Sequence, residues 1–422
     1  MATYSSTKDL CVRANLAPAP SGGIEVGLLT GGRDRHYAFG LAMALSARGV
    51  GLDVIGSDEV DSPEFHSTPG LNFFNLRGNQ RPRAGLAEKI SRVLRYYARL
   101  IQYAGRATPQ IFHILWNNKF EFFDRTLLML YYKAAGKKVV LTAHNINAGK
   151  RDLNDSLLNR LTLKAQYRLA DHIFVHTEKM KCQLLQDFGV REGAISVIPY
   201  GINNAVPETN LTPAQAKQRL GIQAGERTIL FFGAIRPYKG IEHLLAAFER
   251  LVTSGVDYRL IIAGQPKKES EAYMGQIQRT IDRGFMGEQI IQKFECIPDE
   301  DIELYFKAAD VLVLPYNEIF QSGVLFLGFN FGLPAVAADV GSFKEEIVDG
   351  KNGLLCKPGD PVELEHAIRK YFESDLFKEL NERRQEIQDS TKARHSWDLV
   401  GELTQDVYAK LCAVRERYTF VP

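Results

Sequence analysis

Two doubly wound α/β domains facing each other across a cleft is the architecture this sequence predicts, and three observations predict it. The chain has 422 residues, too many for a single hydrophobic core, which stops growing at roughly 250–300 residues before a chain splits into domains. Short β-rich runs alternate with helical patterns in two successive series, the pattern of parallel sheets covered on both faces. Between the series lies ISVIPYGINNAVPETNLTPAQAKQRLG (195–221), rich in Pro, Asn and Gly and the best candidate for an interdomain linker.

The elements follow in order. IEVGLLT (24–30) reads as a buried strand, GGRDRHYAFGLAMALSARG as a loop and helix, and GLDVIGSD (51–58) as the next strand. IFHILW (111–116), KKVVLTAH (137–144) and HIFVHT (172–177) complete the first series. RTILFFGAI (227–235), YRLIIAG (258–264), IIQKFECI (290–297), DVLVLPY (310–316) and LPAVAAD (333–339) form the second. The last segment, 397–418, reads as a long amphipathic helix packing back across the hinge. The expected division is a flexible leader at 1–22, an acceptor-side domain at 23–205, a linker at 206–225, a second domain at 226–395 and a returning C-terminal helix at 396–422.

Composition excludes several classes. Lys and Arg number 52 against 50 Asp and Glu, so any electrostatic message is local. Five cysteines are scattered and odd in number, with no CxxC pair, which argues against a disulfide framework or a zinc site and suits a reducing cytosol. No apolar run approaches the ~18 residues of a membrane span, and residues 1–22 lack the apolar stretch of a secretory signal.

Candidate chemistry gathers just after strands, at the edge where open α/β sheets bind ligands. His144 ends one strand, GAIRPYKG (233–240) follows another, Gly264 a third and Pro315 a fourth. Arg236 and Lys239 stand three apart before Gly240, which opens a helix. Two cations beside a helix N-terminus make a receptor for a diphosphate; a solvated turn with two surface cations is the plainer alternative. The loop is not a P-loop, because GxxxxGK[ST] is absent from the chain. Gly31-Gly32 after the first strand lacks a full GxGxxG. PYNEIFQSGVLFLGFNFGLP (315–334) reads either as a capped core helix or as a helix whose free N-terminal amides hold an anion. Asp299-Glu300-Asp301 reads as the acidic first turn of a helix, favoured by its dipole, more than as a metal site.

With TAHN (142–145), FFGAIRPYKG (231–240), RLIIAG (259–264), AADVLVLP (308–315) and GLPAVAADVGSFKEEIVDGKNGLL (332–355) in this order, the chain resembles the retaining, GT-B-fold glycosyltransferases of family four, of the bacterial exopolysaccharide or lipopolysaccharide type. The resemblance covers most of the chain. It implies two Rossmann-like domains, the C-terminal one holding a UDP- or GDP-linked sugar and the N-terminal one a glycan or lipid-linked saccharide. Arg236 and Lys239 would clamp the diphosphate, and the amides of Gly323, Val324 and Leu325 after Ser322 would bind its other side. Gly233 and Gly264 would line the donor, and Phe294, Cys296 and Ile297 would lie along the base. His144 would approach the transferred sugar, with Gly31, Gly32 and Asn145 on the acceptor or sugar side. The implied reaction is front-face transfer in cell-surface polysaccharide synthesis, without a metal or other cofactor.

The sequence also departs from that family's pattern. Its two glutamates, eight positions apart, fall here on Ile319 and Leu327, and its usual phosphate arginine on Ala234. Either Glu318 takes the first glutamate's role through a local shift, or the roles move to Asn317 or Gln321. The missing glutamates motivate the alternative of a non-catalytic relative that binds a sugar nucleotide or partner protein; a further alternative is another GT-B class, such as a nucleotide-sugar epimerase.

Residues 77–106 carry Arg77, Arg81, Arg83, Lys89, Arg92, Arg95, Arg99 and Arg106 against the single acid Glu88. Leu86, Ile90, Val93, Leu94, Tyr97, Leu100 and Ile101 recur at helical spacing and predict a docked stripe, with Arg92, Arg95, Arg99 and Arg106 on the opposite face. That face is either solvated or attracted to anionic lipid, which would place the protein peripherally on the cytoplasmic side of a membrane. With no base-stacking platform beside it, nucleic acid is not an expected partner.

Overall fold

A computed structural model describes residues 23–419, except 33, 81–84, 119, 152–154, 203–205, 268–269 and 285; the expected leader at 1–22 lies outside the described residues. The strands are β1 (Glu25–Leu29), β2 (Gly51–Gly56), β3 (Leu71–Asn75), β4 (Ile111–Ile114), β5 (Lys138–Thr142), β6 (His172–Val175), β7 (Ile195–Val197), β8 (Arg227–Phe232), β9 (Tyr258–Ala263), β10 (Ile290–Lys293), β11 (Val311–Leu314), β12 (Ala335–Ala338) and β13 (Gly353–Cys356). They form a seven-stranded sheet in the order β3-β2-β1-β4-β5-β6-β7 and a six-stranded sheet in the order β10-β9-β8-β11-β12-β13. Every pairing between these strands is parallel.

The ten strands expected from sequence are all present. The three it passed over, β3, β7 and β13, are edge strands. An edge strand is short and covered on fewer sides, so it lacks the continuous Val/Ile/Leu run that marks a central parallel strand. LNFFN in β3 even begins and ends its pairing with asparagine nearby, and ISV in β7 sits inside the Pro/Gly-rich stretch.

In each sheet the strand order reverses once, between β1 and β4 and between β8 and β11. Those two switch points open crevices at the carboxyl edge. The loops after the reversing strands touch one another: a β-carbon on Gly31 would lie 2.6 Å from the carbonyl oxygen of Trp116, and one on Gly240 would overlap that of Pro315. Only glycine fits at 240, where φ is also +63°.

One face of the first sheet packs helices Leu86–Arg106, Leu127–Ala134 and Leu157–Leu169, through Tyr97, Leu100, Met129, Tyr132, Leu163 and Tyr167. The other face packs helix Arg35–Ala47 together with the C-terminal helix Trp397–Thr419, which supplies Val400, Val407 and Tyr408. The final helix therefore returns to the first domain. The stretch 206–225 carries helix Pro213–Arg219, closed by a Thr212/Gln215 capping box, and Val206, Leu211, Ala216 and Ile222 belong to the second domain's core. Threonine followed three residues later by glutamine is the sequence signal for that helix.

The return crossing is fixed by Trp397. Its ring fills the space where Gly40 and Gly201 lack side chains, lies 5.1 Å from the ring of Tyr37, and its indole N–H donates to Ile202 O at 2.7 Å. Trp397→Ala is expected to destabilise by about 3 kcal/mol or more, lowering the melting temperature by roughly 6–12 °C. Calorimetry measures this; an unchanged transition would remove Trp397 from the interdomain strap.

Candidate active site

The second domain's switch point gathers the diphosphate candidates. Lys239 is only 6% exposed. Its ammonium sits 5.1 Å above the ring of Tyr316 and 5.8 Å from that of Phe231. A β-carbon on Gly233 would lie 3.0 Å from Lys239 Nζ and 3.2 Å from Val324 Cγ2. Lysine, glycine loop and the first turn of helix Gly323–Asn330 thus converge on one small volume. Gly264 closes it from behind: at φ +149° it lets the Gly233 carbonyl approach where any side chain would collide. Arg236 stands half-buried at the start of the 3₁₀ turn Pro237–Lys239.

Ser322 is buried, yet its side chain makes no capping hydrogen bond to the helix it precedes. Of the two readings of this helix from sequence, the anion-binding one fits better, because a Ser that does not cap leaves the first amides to other partners. One expected amide is corrected. Leu325 N donates to Ser322 O at 3.1 Å, a tight first turn that engages it within the helix. Gly323 and Val324 remain as the forward-facing pair.

On the first domain's side, a cavity of about 320 Å³ runs from Trp116 and His144 to Arg125 and Gln166, and is roofed from the second domain by Ile319, Phe320 and Gln321. Three polar groups on residues that line it are buried without a partner among the described residues: His144 Nε2, Asn145 Oδ1 and both ends of the Gln321 amide. Such groups cost free energy unless a ligand or water satisfies them. Gln321 is thus the best placed of the three substitutes for the absent glutamates. Asn317 is occupied elsewhere, its amide oxygen 3.0 Å from His243 Nε2 and its N–H donating to Tyr238 O at 2.8 Å. Glu318 is exposed, Leu327 is buried in the core and Ile319 packs against it.

The tautomer of His144 follows from its neighbours. His176 Nδ1 lies 3.3 Å from Ile198 O, which can only accept, so this nitrogen carries the proton. His176 Nε2 is then the acceptor for His144 Nδ1–H at 3.0 Å. The remaining nitrogen, His144 Nε2, is buried with no hydrogen-bond partner among the described residues, on a ring that lines the cavity. Trp116 stacks on the ring at 4.3 Å, only 7° from parallel, and Tyr37 meets it edge-on at 4.5 Å. The geometry suits a fixed acceptor for a substrate hydroxyl.

Burial keeps this cluster neutral: it holds His144 well below the usual imidazole range, His176 at about 4, His172 at about 4 and His113 at about 3. His113 is structural, bonded to Tyr408 Oη at 2.6 Å and Thr142 Oγ1 at 2.7 Å. An imidazole neutral in the fold but protonated on unfolding stabilises the protein above pH ~6.5, and that stability is lost as pH falls toward the folded value. Asp124, raised by burial to about 6, and Asp34, Asp53 and Glu345, also raised by burial, act oppositely over part of that window. The melting temperature is expected to drop by at least ~5 °C between pH 7 and 4.5; a flat profile by scanning calorimetry would refute the buried neutral cluster.

Other candidates lie at the rim. Gly31 and Gly32 form a left-handed turn after β1, where Arg77 donates to Gly31 O. Phe294 and Ile297 lean on the second core after β10, and Cys296 is exposed. Asp299 begins helix Asp299–Ala308, whose first turn holds all three acids, and it reaches His36 of the first domain at 3.4 Å. Sequence reasoning missed Trp116, His176 and Tyr200. Trp116 and His176 lie at the ends of the expected strand runs 111–116 and 172–177, whereas Tyr200 follows the overlooked β7; its ring stacks on Phe326 at 5.7 Å across the cleft.

The basic helix Leu86–Arg106 corrects another expectation. Its docked side is Tyr96, Tyr97, Leu100 and Ala104, while Ile90, Leu94 and Ile101 are exposed. The buried stripe is rotated relative to the one expected, because Tyr97 and Tyr103 bond Asp124 and Asp53 and so set the helix face. Arg92, Arg95 and Arg99 line a groove with Arg77, and Arg92 donates to Asn79 O at 2.7 Å. Arg106 is exposed at the helix end. Arg81 and Arg83 lie outside the described residues. No helix among the described residues is long and apolar enough to cross a membrane.

Comparison with known proteins follows the same two-domain division. The family model for glycosyl transferases group 1 matches residues 214–393, and that for glycosyltransferase family 4 matches residues 35–206. D-inositol 3-phosphate glycosyltransferase of Corynebacterium diphtheriae is 27% identical over 56% of this chain and 57% of its own length; the chain thus spans little more than half of the curated relative it matches. An uncharacterized glycosyltransferase of Methanocaldococcus jannaschii is 22% identical over 87% of this chain and 92% of its own. Sucrose-phosphate synthase of Thermosynechococcus elongatus shares the fold with a TM-score of 0.74 at 19% identity, over 93% of this chain and 100% of its own. Anabaena HepE, solved with UDP-glucose, does so with a TM-score of 0.69 at 17% identity, over 92% and 99%. Matched by the two models over both sheets, the chain belongs to the GT-B-fold glycosyltransferases of family four.

Proposed function

We propose that this chain is a retaining hexosyltransferase. It moves a sugar from a nucleotide-sugar donor, UDP- or GDP-linked, to a glycan or lipid-linked saccharide in cell-surface polysaccharide synthesis, on the cytoplasmic side of the membrane. The observation that carries the reading is the convergence of Lys239 Nζ, Gly233 and Val324 on the N-terminus of helix Gly323–Asn330 at the β8/β11 switch point. A leaving diphosphate needs fixed positive charge and directed N–H groups, and both are here. With Arg236 beside them, these groups take the role a metal ion would otherwise fill. His144 Nε2 and Asn145 across the cleft, with Gln321 from the second domain, supply the hydrogen bonds that sugar hydroxyls need. In the front-face reaction, the departing diphosphate oxygen takes the acceptor hydroxyl's proton as the glycosidic bond forms on the same face.

The deciding experiment is a thermal-shift screen against UDP, GDP, ADP and their common sugars, with and without EDTA. HepE's complexes with UDP and UDP-glucose make the uridine series the first to try. Stabilisation by one nucleotide, insensitive to EDTA, is the expected result. Product NMR of the new glycosidic linkage then tests retention. A second reading, a non-catalytic relative, is motivated by the apolar Ile319 and buried Leu327 at the glutamate positions. Donor-dependent transfer or slow donor hydrolysis would eliminate it.

A further inference from the structure

Tyr200 belongs to neither sheet, yet its side chain reaches groups in both domains. It lies in the segment that the Trp397 crossing holds. Trp397 fills the space over Gly201, Ile202 N donates to His395 O at 3.2 Å, and His395 Nδ1 lies 3.2 Å from Tyr200 O. Toward the second domain the Tyr200 ring stacks on Phe326 of helix Gly323–Asn330, 14° from parallel. Toward the first domain it meets His176 at 5.1 Å and Tyr37 at 5.5 Å.

The hydroxyl stands at the anion-binding end of that helix. The Cα–Cβ bond of a helical residue tilts toward the N-terminus. A β-carbon on Gly323 would meet Tyr200 Oη first, at 3.6 Å. Lys239 Nζ and Val324 Cγ2 converge on Gly233 nearby, at 3.0 and 3.2 Å from its added β-carbon. The first turn therefore has a buried ammonium beside Val324 and a phenol hydroxyl beside Gly323.

The hydroxyl is a donor with a poorly matched partner. It donates to Asp34 Oδ2 at 3.4 Å, well beyond the ~2.7–2.8 Å usual for O–H···O. Burial, with Asp34 adding to it, holds the phenol well above its usual range, so it keeps its proton. Asp34 is fixed independently. Its Oδ1 accepts from Tyr37 N at 3.1 Å and caps helix Arg35–Ala47. It is also the one non-glycine residue with positive φ among those described, at +42°. Backbone strain of this kind concentrates at functional sites. The surrounding cleft is close enough to raise the Asp34 carboxyl, yet the residue is open to solvent, so a ligand can reach the pair.

We propose that Tyr200 is a phosphate ligand of the nucleotide donor: its hydroxyl leaves Asp34 Oδ2 and donates to a phosphate oxygen seated on the Gly323 and Val324 amides. It rests on the transferase reading and adds a residue to that reading's donor site. Asp34 opposes it, since its carboxylate repels phosphate and competes for the hydroxyl. Tyr200 rides on the interdomain segment, so a phosphate that takes its hydroxyl also ties this segment to helix Gly323–Asn330.

The test is titration calorimetry of the full chain with UDP and with GDP, using wild type, Tyr200→Phe, Asp34→Asn and the double variant. Phenylalanine keeps the ring that stacks on Phe326 and removes the hydroxyl. Asparagine caps a helix as well as aspartate does and is likewise enriched at positive φ, so the change removes the charge. Tyr200→Phe should weaken nucleotide binding about 10-fold or more, the scale of a hydrogen bond to a charged partner. Asp34→Asn should tighten it roughly 3–10-fold, because a negative charge leaves the site. The double variant separates contact from shielding. If Tyr200 touches phosphate, losing its hydroxyl costs about 10-fold in the Asp34→Asn background too. If Tyr200 acts only by shielding Asp34, that cost vanishes and the proposal is overturned. Unchanged affinity in Tyr200→Phe overturns it as well. Should Tyr200→Phe melt early, Asp34→Asn decides alone, and unaltered or weaker nucleotide binding there rejects the exchange. Wild type that binds neither nucleotide sinks the transferase reading together with this one. Wild-type binding without a Tyr200 cost in the double variant sinks only the role of Tyr200.

Discussion

Lys239→Met is expected to weaken donor-nucleotide binding about 100-fold and to lower turnover by about 100–1000-fold, the loss seen when one preorganised donor to a developing charge is removed. The physical basis is the burial of the ammonium. With 6% exposure, between Phe231 and Tyr316 and facing the first turn of helix Gly323–Asn330, Lys239 acts through a medium of low dielectric, where its attraction to phosphate is far larger than on the surface. Methionine keeps the stem that packs there and removes only the charge. The unliganded variant should melt near the wild-type temperature, because the apolar stem that packs there is kept. At a nucleotide concentration of 100 Kd the wild type gains about 2.7 kcal/mol, whereas a hundredfold weaker variant gains roughly 0.4 kcal/mol. A thermal shift that survives the substitution would remove Lys239 from the phosphate site.

The second large effect is expected at His144. His144→Ala should lower kcat by about 100-fold, the scale of loss when a group that fixes the orientation of a reacting substrate is removed, while leaving the nucleotide thermal shift intact. The separation follows from where the ring sits. Its ring lines the first-domain cavity, and the phosphate candidates lie across the cleft. His176 is a positioning residue here, since its Nδ1–H on Ile198 O fixes which nitrogen of His144 carries a proton. His176→Phe should cost roughly 10-fold in kcat, consistent with a lost orienting partner, without abolishing nucleotide binding. With both rings held neutral by burial, activity should stay flat from pH 6 to 8 as far as these groups are concerned. Unchanged turnover in His144→Ala, or a nucleotide shift lost with it, would reject the assignment.

Much of the site was legible because parallel α/β folds place function at strand ends. His144, Gly233, Gly264 and Pro315 could each be read as the residue after a strong apolar run, and central strands are where such runs are continuous. The GAIRPYKG loop was legible for a further reason: glycines at its two ends are required by close backbone approach, and that requirement is written as a residue type. Tyr200 was illegible because β7, the edge strand before it, has only three residues. The engagement of Leu325 N could not be anticipated either, since a tight first turn depends on how the helix enters, not on composition.

The amphipathic helix Leu86–Arg106 shows the same limit. Its period was plain, but its rotation was decided by Tyr97 reaching Asp124 and Tyr103 reaching Asp53, contacts 27 and 50 residues away in sequence. The choice among Asn317, Glu318 and Gln321 was likewise open until packing bonded one, exposed the second and buried the third unpartnered at the cavity.

By itself the sequence determined the fold class, ten of the thirteen strands among the described residues, and which loops carry cations and glycines, because local period and backbone sterics act within a few residues. Only the tertiary structure decided the tautomer and neutrality of His144, the burial of Lys239, the second-domain roof over the His144 cavity and the meeting of Tyr200 with Asp34 and Gly323. Those properties are set by desolvation and by partners distant in sequence, which no local pattern encodes.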